Sequence, residues 1–323
     1  MNEIKILEKK IHQDLRNIAG MVVLKDGKAQ YENYFNGCTA DSRIHVYSVT
    51  KSILSILIGI AVDKGYIKSV GQKVLDFFPD YQVKKGEQAI YDVTLENMLT
   101  MTAPYKYKLL PPYIKYFTSD DWVKFSLDLL GGQGRLGKFR YAPLIGPDIL
   151  SGILINATGK SVLGFAVENL FAPLGITVKE NLLFKNKEEQ MAFNRSTDIS
   201  GWAADSSGTN AAGWGLTLSP LDMAKIGQLY LNKGEWNKKQ VVSEQWVNES
   251  IREHSRWDKI KRSYGYLWWI LSDNGQSFAA VGDGGNMIYC NAEKHLVVSI
   301  ASLFVQKPKD RIAFVKDYVE PLF

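Results

Sequence analysis

The chain is expected to be an α+β protein, with an antiparallel sheet flanked by helices and a mainly helical domain inserted into it. Three observations predict this. Strand patterns sit at both ends of the chain, and helix patterns fill the middle. The length of 323 residues and the hydrophobic share of 46% allow a large buried core and suggest about two domains. One run, Ile53–Val62, is apolar nearly all round, as a helix is when it lies inside a domain. The expected division is a discontinuous sheet domain, residues 1–73 with 196–323, and a helical domain over 74–195.

In order along the chain, Ile4, Leu7, Ile11 and Leu15 recur at helical spacing and predict an amphipathic helix over Glu3 to Leu15. Gly20–Leu24 and Gln30–Phe35 flank the turn Lys25-Asp26-Gly27-Lys28, which reads as a β-hairpin. A buried helix runs from Ser48 to about Asp63. Thr94 caps a short helix, and Thr118 with Asp121 has capping-box spacing before Trp122–Leu130. Asp148–Ala157 and Val162–Leu170 read as two helices parted by Thr158-Gly159. Ser219-Pro220-Leu221-Asp222 combines a cap, a first-position proline and a first-turn acid, so a helix runs from there to Asn232 or Gly234. Tyr264–Leu271, Gln276–Val281, Asn286–Cys290 and His295–Phe304 read as successive antiparallel strands, and Ile312–Tyr318 as a last helix.

Composition removes several function classes. Lys+Arg 39 against Asp+Glu 34 leaves +5, spread along the chain, so no basic face for nucleic acid is expected. The longest greasy run is far short of the ~20 apolar residues a bilayer needs. Met1–Gln13 is charged and lacks the apolar region of a secretory signal, which predicts a cytoplasmic protein. Cys38 and Cys290 are then expected as free thiols. Four histidines without paired ligand spacing give no metal site, and no cofactor is expected.

The chemistry centres on Ser48-Val49-Thr50-Lys51. If Ser48 opens the buried helix, Lys51 lies one turn on along the same face. A serine hydroxyl is a weak nucleophile until a base takes its proton. Lysine can be that base only when neutral, and burial with the positive end of a helix dipole favours the neutral form. The plain alternative is a capping serine followed by a solvated lysine.

Here the chain resembles the serine β-lactamase-related hydrolases, a group with class C β-lactamases, D-alanyl-D-alanine peptidases, family VIII carboxylesterases and 6-aminohexanoate-dimer hydrolases. The resemblance runs from about Ala19 to about Phe304. It rests on Tyr47-Ser48-Val49-Thr50-Lys51-Ser52, on Thr94–Thr102, on Gly213–Ala224 and on Gly265-Tyr266-Leu267-Trp268-Trp269, in the family's order. It implies a β-lactamase/transpeptidase-like fold and an acyl-enzyme mechanism. It also makes Tyr141, in Phe139-Arg140-Tyr141-Ala142-Pro143, the shared acid/base, titrating as a pair with Lys51. Pro143 departs from the family's asparagine or serine and lacks a side-chain donor. Val281-Gly282-Asp283-Gly284-Gly285-Asn286 occupies the third motif. By resemblance, the oxyanion hole is formed by the backbone N–H groups of Ser48 and Asn286, and Asp283, Gly284 and Gly285 contact substrate. Asp283 stands where relatives carry a cationic or neutral residue. A simple Asp-Gly hairpin turn is the competing reading.

Other motifs fall away. Gly159-Lys160-Ser161 lacks the first glycine of a phosphate loop, Gly131-Gly132-Gln133-Gly134 has no strand before it, and no G-x-S-x-G elbow exists. His45, three residues before Ser48, reads as structural. The expected function is hydrolysis of a small ester, amide or peptide-like substrate, with weak β-lactamase activity. The alternative is a silent receptor for peptide- or lactam-like ligands. Neither nucleic acid nor a membrane is an expected partner.

Overall fold

The protein is described here by a computed structural model covering residues 3–107, 111–272 and 274–323. Met1 and Asn2, which open the charged stretch at the N-terminus, lie outside the described residues.

Eight strands build the main sheet. β1 (Ile18–Lys25) and β2 (Lys28–Tyr34) form the expected hairpin, with Asp26 and Gly27 at positive φ in its turn. The remaining six come from the other end of the chain: β3 (Ser255–Trp257), β4 (Arg262–Tyr264), β5 (Trp269–Ile270), β6 (Ser277–Gly282), β7 (Asn286–Asn291) and β8 (Leu296–Ser302). The order across the sheet is β2-β1-β8-β7-β6-β5-β4-β3, antiparallel throughout. The two chain ends meet along β1 and β8, from Ile18 opposite Ser302 to Lys25 opposite Leu296.

Eleven helices are named here: α1 (Glu3–Asp14), α2 (Val49–Asp63), α3 (Leu95–Leu99), α4 (Tyr113–Phe117), α5 (Trp122–Leu129), α6 (Asp148–Thr158), α7 (Val162–Ala166), α8 (Lys187–Phe193), α9 (Pro220–Leu231), α10 (Glu244–Ser250) and α11 (Arg311–Phe314). Alternation along the strands feeds two cores. Val23, Met287, Tyr289, Val298 and Ile300 pack with Leu7 and Ile11 of α1 and Ile312 and Phe314 of α11. Val22, Leu24, Ile288, Cys290 and Val297 point the other way, onto α2 and α9. In α2 every residue from Val49 to Ala61 is buried, which matches its all-round apolar pattern. It runs between the sheet and the helices of the middle segment, packing on α6 as well as on β6. A third cluster, with Tyr116, Trp122, Phe193 and Trp214, lies in the helical region.

Local signals set the helix starts. Thr94 accepts from Asn97 N at the head of α3. Ser219 and Asp222 form a reciprocal capping box at α9, with Pro220 in the first turn. Three expectations shift. α5 is capped by Asp121, whose carboxylate accepts from Lys124 N, while Thr118 ends α4. The expected strand Tyr264–Leu271 is broken. Leu267 takes φ +61°, its N–H bonds to Leu99 O (3.0 Å), and its carbonyl accepts from Ser52 Oγ (2.6 Å). Tertiary hydrogen bonds to α3 and α2 override strand propensity there. The helices expected at Val162 and Ile312 widen into π-helical turns over Val167–Phe171 and Val315–Val319.

Cys38 and Cys290 are both buried and unpaired, with Cys290 Sγ beside Gly227 O. Among the described residues no single helix is long and apolar enough to cross a membrane.

Candidate active site

Ser48 stands at the head of α2 with helical backbone angles, but its side chain does not cap the helix. The residue before it, Tyr47, is held at φ +49°, an unusual conformation for a bulky side chain. Ser48 is half-buried, so its hydroxyl remains reachable. Lys51, one turn on, is 1% exposed. Its Nζ lies 2.8 Å from Ser48 Oγ, 2.6 Å from Pro143 O and 2.9 Å from Gly213 O. These three oxygens match the three N–H groups of an ammonium. Burial nevertheless pushes the Lys51 pKa from 10.5 down to about 7, against the pull of Asp283 and Asp148. The capping-serine, solvated-lysine alternative does not describe this geometry.

Tyr141 joins them from the segment before α6. The Lys51 Nζ sits 5.4 Å from its ring centroid. Burial pushes the phenol up to about 12, while a hydrogen bond with Ser48 works the other way. The two expected proton carriers therefore separate. The lysine is brought to where both its forms are populated near neutral pH, and the tyrosine stays a neutral phenol. Trp257, Trp269 and Tyr264 surround the Tyr141 ring at centroid distances of 6.1, 5.8 and 6.4 Å.

The third motif is a tight turn between β6 and β7. Gly282 comes closest to the serine: a Cβ there would lie 2.3 Å from Val46 O and 3.2 Å from Ser48 N. Asp283 follows it, exposed. Its charge raises the pKa of Lys51, Tyr47, Tyr113 and Tyr141 alike, so the carboxylate lies within electrostatic reach of all four. Gly284 and Gly285, at φ +75° and +92°, instead abut Leu303 with Phe304 and Arg311. Asn286 pairs with Gly282 across the hairpin and is wholly buried. Its side chain donates to Asp283 O (2.8 Å) and accepts from Ser302 N (2.9 Å), which pins the turn.

Sequence reasoning passed over what holds Lys51 from behind. Asp148, the first residue of α6, is wholly buried and accepts from Ala212 N (2.8 Å) and Tyr116 OH (2.7 Å). Tyr116 OH in turn accepts from Trp214 Nε1 (3.2 Å). The only sequence signal was an acid in a helix's first turn. Burial pushes the Asp148 carboxyl up to about 7, and the donors from Tyr116 and Ala212 oppose it.

His45 is not paired with Ser48. Its Nε2 accepts from Gly215 N (2.9 Å), its ring stacks on Tyr47, and burial drops its pKa to about 3. Among the described residues no group of three His, Cys, Asp or Glu side chains could hold a metal ion.

A three-layer helix–sheet–helix body with a serine, a buried lysine and a tyrosine converging at the head of its central helix has the β-lactamase/transpeptidase-like architecture. The chain belongs to the Beta-lactamase family, whose model matches residues 7–314. It is similar to the 6-aminohexanoate-dimer hydrolase of Paenarthrobacter ureafaciens, at 22% identity over 302 residues, 86% of this chain and 70% of that protein. Among solved structures it resembles the octameric penicillin-binding protein homologue from Pyrococcus abyssi. The TM-score is 0.73 at 21% identity, over 98% of this chain and 76% of that one. It also resembles a family VIII carboxylesterase, with TM-score 0.69 at 17% identity, over 98% and 96% of the two chains. The protein is a serine hydrolase-type enzyme of the β-lactamase and esterase family.

Proposed function

We propose that the protein cleaves a small ester or amide through an acyl-enzyme on Ser48, with Lys51 as the base that starts the reaction. The observation that carries this is the setting of the Lys51 amine. In its neutral form it keeps two N–H groups, which the carbonyls of Pro143 and Gly213 accept, and its lone pair then faces Ser48 O–H at 2.8 Å. Ser48 Oγ attacks the substrate carbonyl carbon, and the hydroxyl proton moves to Lys51 Nζ. The tetrahedral oxyanion is received by Ser48 N–H. For the second donor we assign the N–H of Asp283, next to Gly282, in preference to Asn286, which is paired into the hairpin and wholly buried. Tyr141, a neutral phenol touching Ser48, relays the proton to the departing alcohol or amine. Water then attacks the acyl carbon, the acid leaves, and Ser48 regains its proton.

The substrate side supports a narrower reading. The Asp283 carboxylate disfavours an anionic group near the scissile bond, and Pro143 offers no side-chain donor. Uncharged or cationic esters and amides fit better than β-lactams, so β-lactamase activity is weak. A fluorophosphonate probe tests the nucleophile: wild type labels and Ser48→Ala does not. A screen of p-nitrophenyl esters, a chromogenic cephalosporin and short D-amino-acid amides ranks the substrates. Labelling of Ser48→Ala equal to wild type would sink the assignment.

A further inference from the structure

We propose that Asp148 is a positioning residue for Lys51: it clasps the residues on either side of Gly213, whose carbonyl holds the lysine amine, and its negative charge supports the ammonium that forms when Ser48 gives up its proton. This rests on the reading of Ser48 and Lys51 as nucleophile and base.

The geometry is a closed loop. Lys51 Nζ donates to Gly213 O at 2.9 Å. One residue back, Ala212 N donates to Asp148 Oδ1 at 2.8 Å. One residue forward, Trp214 Nε1 donates to Tyr116 OH at 3.2 Å, and Tyr116 O–H donates to Asp148 Oδ2 at 2.7 Å. A single carboxylate thus holds both neighbours of Gly213, one directly and one through a phenol. The second carbonyl on Lys51, that of Pro143, lies five residues before Asp148 in the lead-in to α6. Gly213 also packs directly against Pro143 O, at 2.9 Å from where its Cβ would stand. Asp148 therefore fixes the Gly213 arm of the cradle, and Gly213 packs against the Pro143 arm.

Two donors oppose the burial that pushes the Asp148 carboxyl up to about 7. Tyr116 oxygen is already an acceptor for Trp214, so its hydrogen is free to point at Asp148. Both Asp148 oxygens then receive donors, which favours the carboxylate over the acid. A buried anion without a direct bond to Lys51 still acts on it, because separation by protein rather than water weakens screening. Asp148 raises the Lys51 pKa, and Lys51 lowers that of Asp148. The arrangement is a serine–lysine pair with an anion behind it, related in logic to a base oriented by a third group.

The test compares Asp148→Asn and Tyr116→Phe with wild type in kcat, in the pH profile of kcat/KM on a neutral ester, and in thermal unfolding. Loss of the anion lowers the Lys51 pKa. The acidic limb of Asp148→Asn is therefore expected to move to lower pH, by about one unit, with kcat down at least about tenfold. Tyr116→Phe keeps the carboxyl group but removes the donor that opposes its protonation, together with the link to Trp214, so it lowers kcat less and shifts the limb in the same direction. If Asp148→Asn does not fold, Tyr116→Phe decides alone. An acidic limb left in place in the folded variant, or moved upward, overturns the proposal. Fluorophosphonate labelling of wild-type Ser48 separates the two failures: with labelling intact and the limb unmoved, only the role of Asp148 falls. Without labelling, the nucleophile assignment and this proposal fall together.

Discussion

The Lys51 amine is fixed 2.8 Å from the Ser48 hydroxyl by two main-chain carbonyls on its far side, so the pair cannot drift apart by side-chain rotation. Ser48→Ala is expected to remove nearly all turnover, and Lys51→Ala to cost at least ~10²-fold in kcat. The pH profile follows from the same pair. With Lys51 near 7, the amine is protonated below that pH and cannot accept a proton, so kcat/KM falls as pH drops through about 7 and levels off above it. Steady-state kinetics on a neutral ester check both points, and a flat profile from pH ~5 to ~9 would count against the base assignment.

Asp283 gives a charge preference. Wild type is expected to favour a cationic ester over its matched anionic analogue, and Asp283→Asn to narrow that gap. The penalty on the anion is on the order of 1 kcal/mol, because solvent screens an exposed carboxylate. Comparing kcat/KM for matched neutral, anionic and cationic substrates measures it. If the ratio is the same in both proteins, Asp283 is a turn residue only.

Gly282 leaves no room for a side chain. An added methyl would meet a backbone oxygen at 2.3 Å and press on the amide of the nucleophile. Gly282→Ala should stay folded yet lose ~10²-fold in kcat, because a displacement near 1 Å at the reacting atoms is costly. Slow fluorophosphonate labelling with a cooperative melt near that of wild type is the expected signature. Normal labelling would show that the strand end can move without consequence.

His45 links stability to pH. Its folded pKa of about 3 lies below its ordinary value of 6.5. As pH falls below 6.5 the unfolded chain binds a proton that the folded one refuses, so the fold loses stability, by up to ~1.4 kcal/mol per pH unit. His45→Gln removes this contribution. Denaturant melts at about pH 7.5 and about pH 5.5 should therefore differ less in the variant than in wild type. An equal difference would mean that His45 titrates normally.

Much of this was legible in the sequence, for physical reasons that differ by element. The all-round apolar run after Ser48 could only be a buried helix, and it placed Ser48 and Lys51 on one face. The Ser219-Pro220-Leu221-Asp222 cap is local chemistry and reads directly. What stayed hidden depends on distant backbone. The carbonyls of Pro143 and Gly213 carry no sequence signature, and the weight of Asp148 appears only when Ala212 and Tyr116 arrive beside it. Sequence reasoning singled out Asn286 in this turn and passed over Gly282, whose place against Ser48 depends on the register of the β6–β7 hairpin. The break at Leu267 follows from hydrogen bonds to Leu99 and Ser52, far away in sequence.

The pairing of β1 with β8 sets a timetable for synthesis. Met21 waits for Ile300, and Val23 for Val298, so the sheet cannot close until the residues through Ser302 have left the ribosome. The strands that cover α2, β6 and β7, also come only from the last part of the chain. Contacts this distant in sequence form slowly. The nascent chain therefore has α6 to pack on its greasiest segment from mid-synthesis, while the sheet-facing side of that segment stays uncovered until the last strands emerge, and apolar surface exposed in this way favours aggregation.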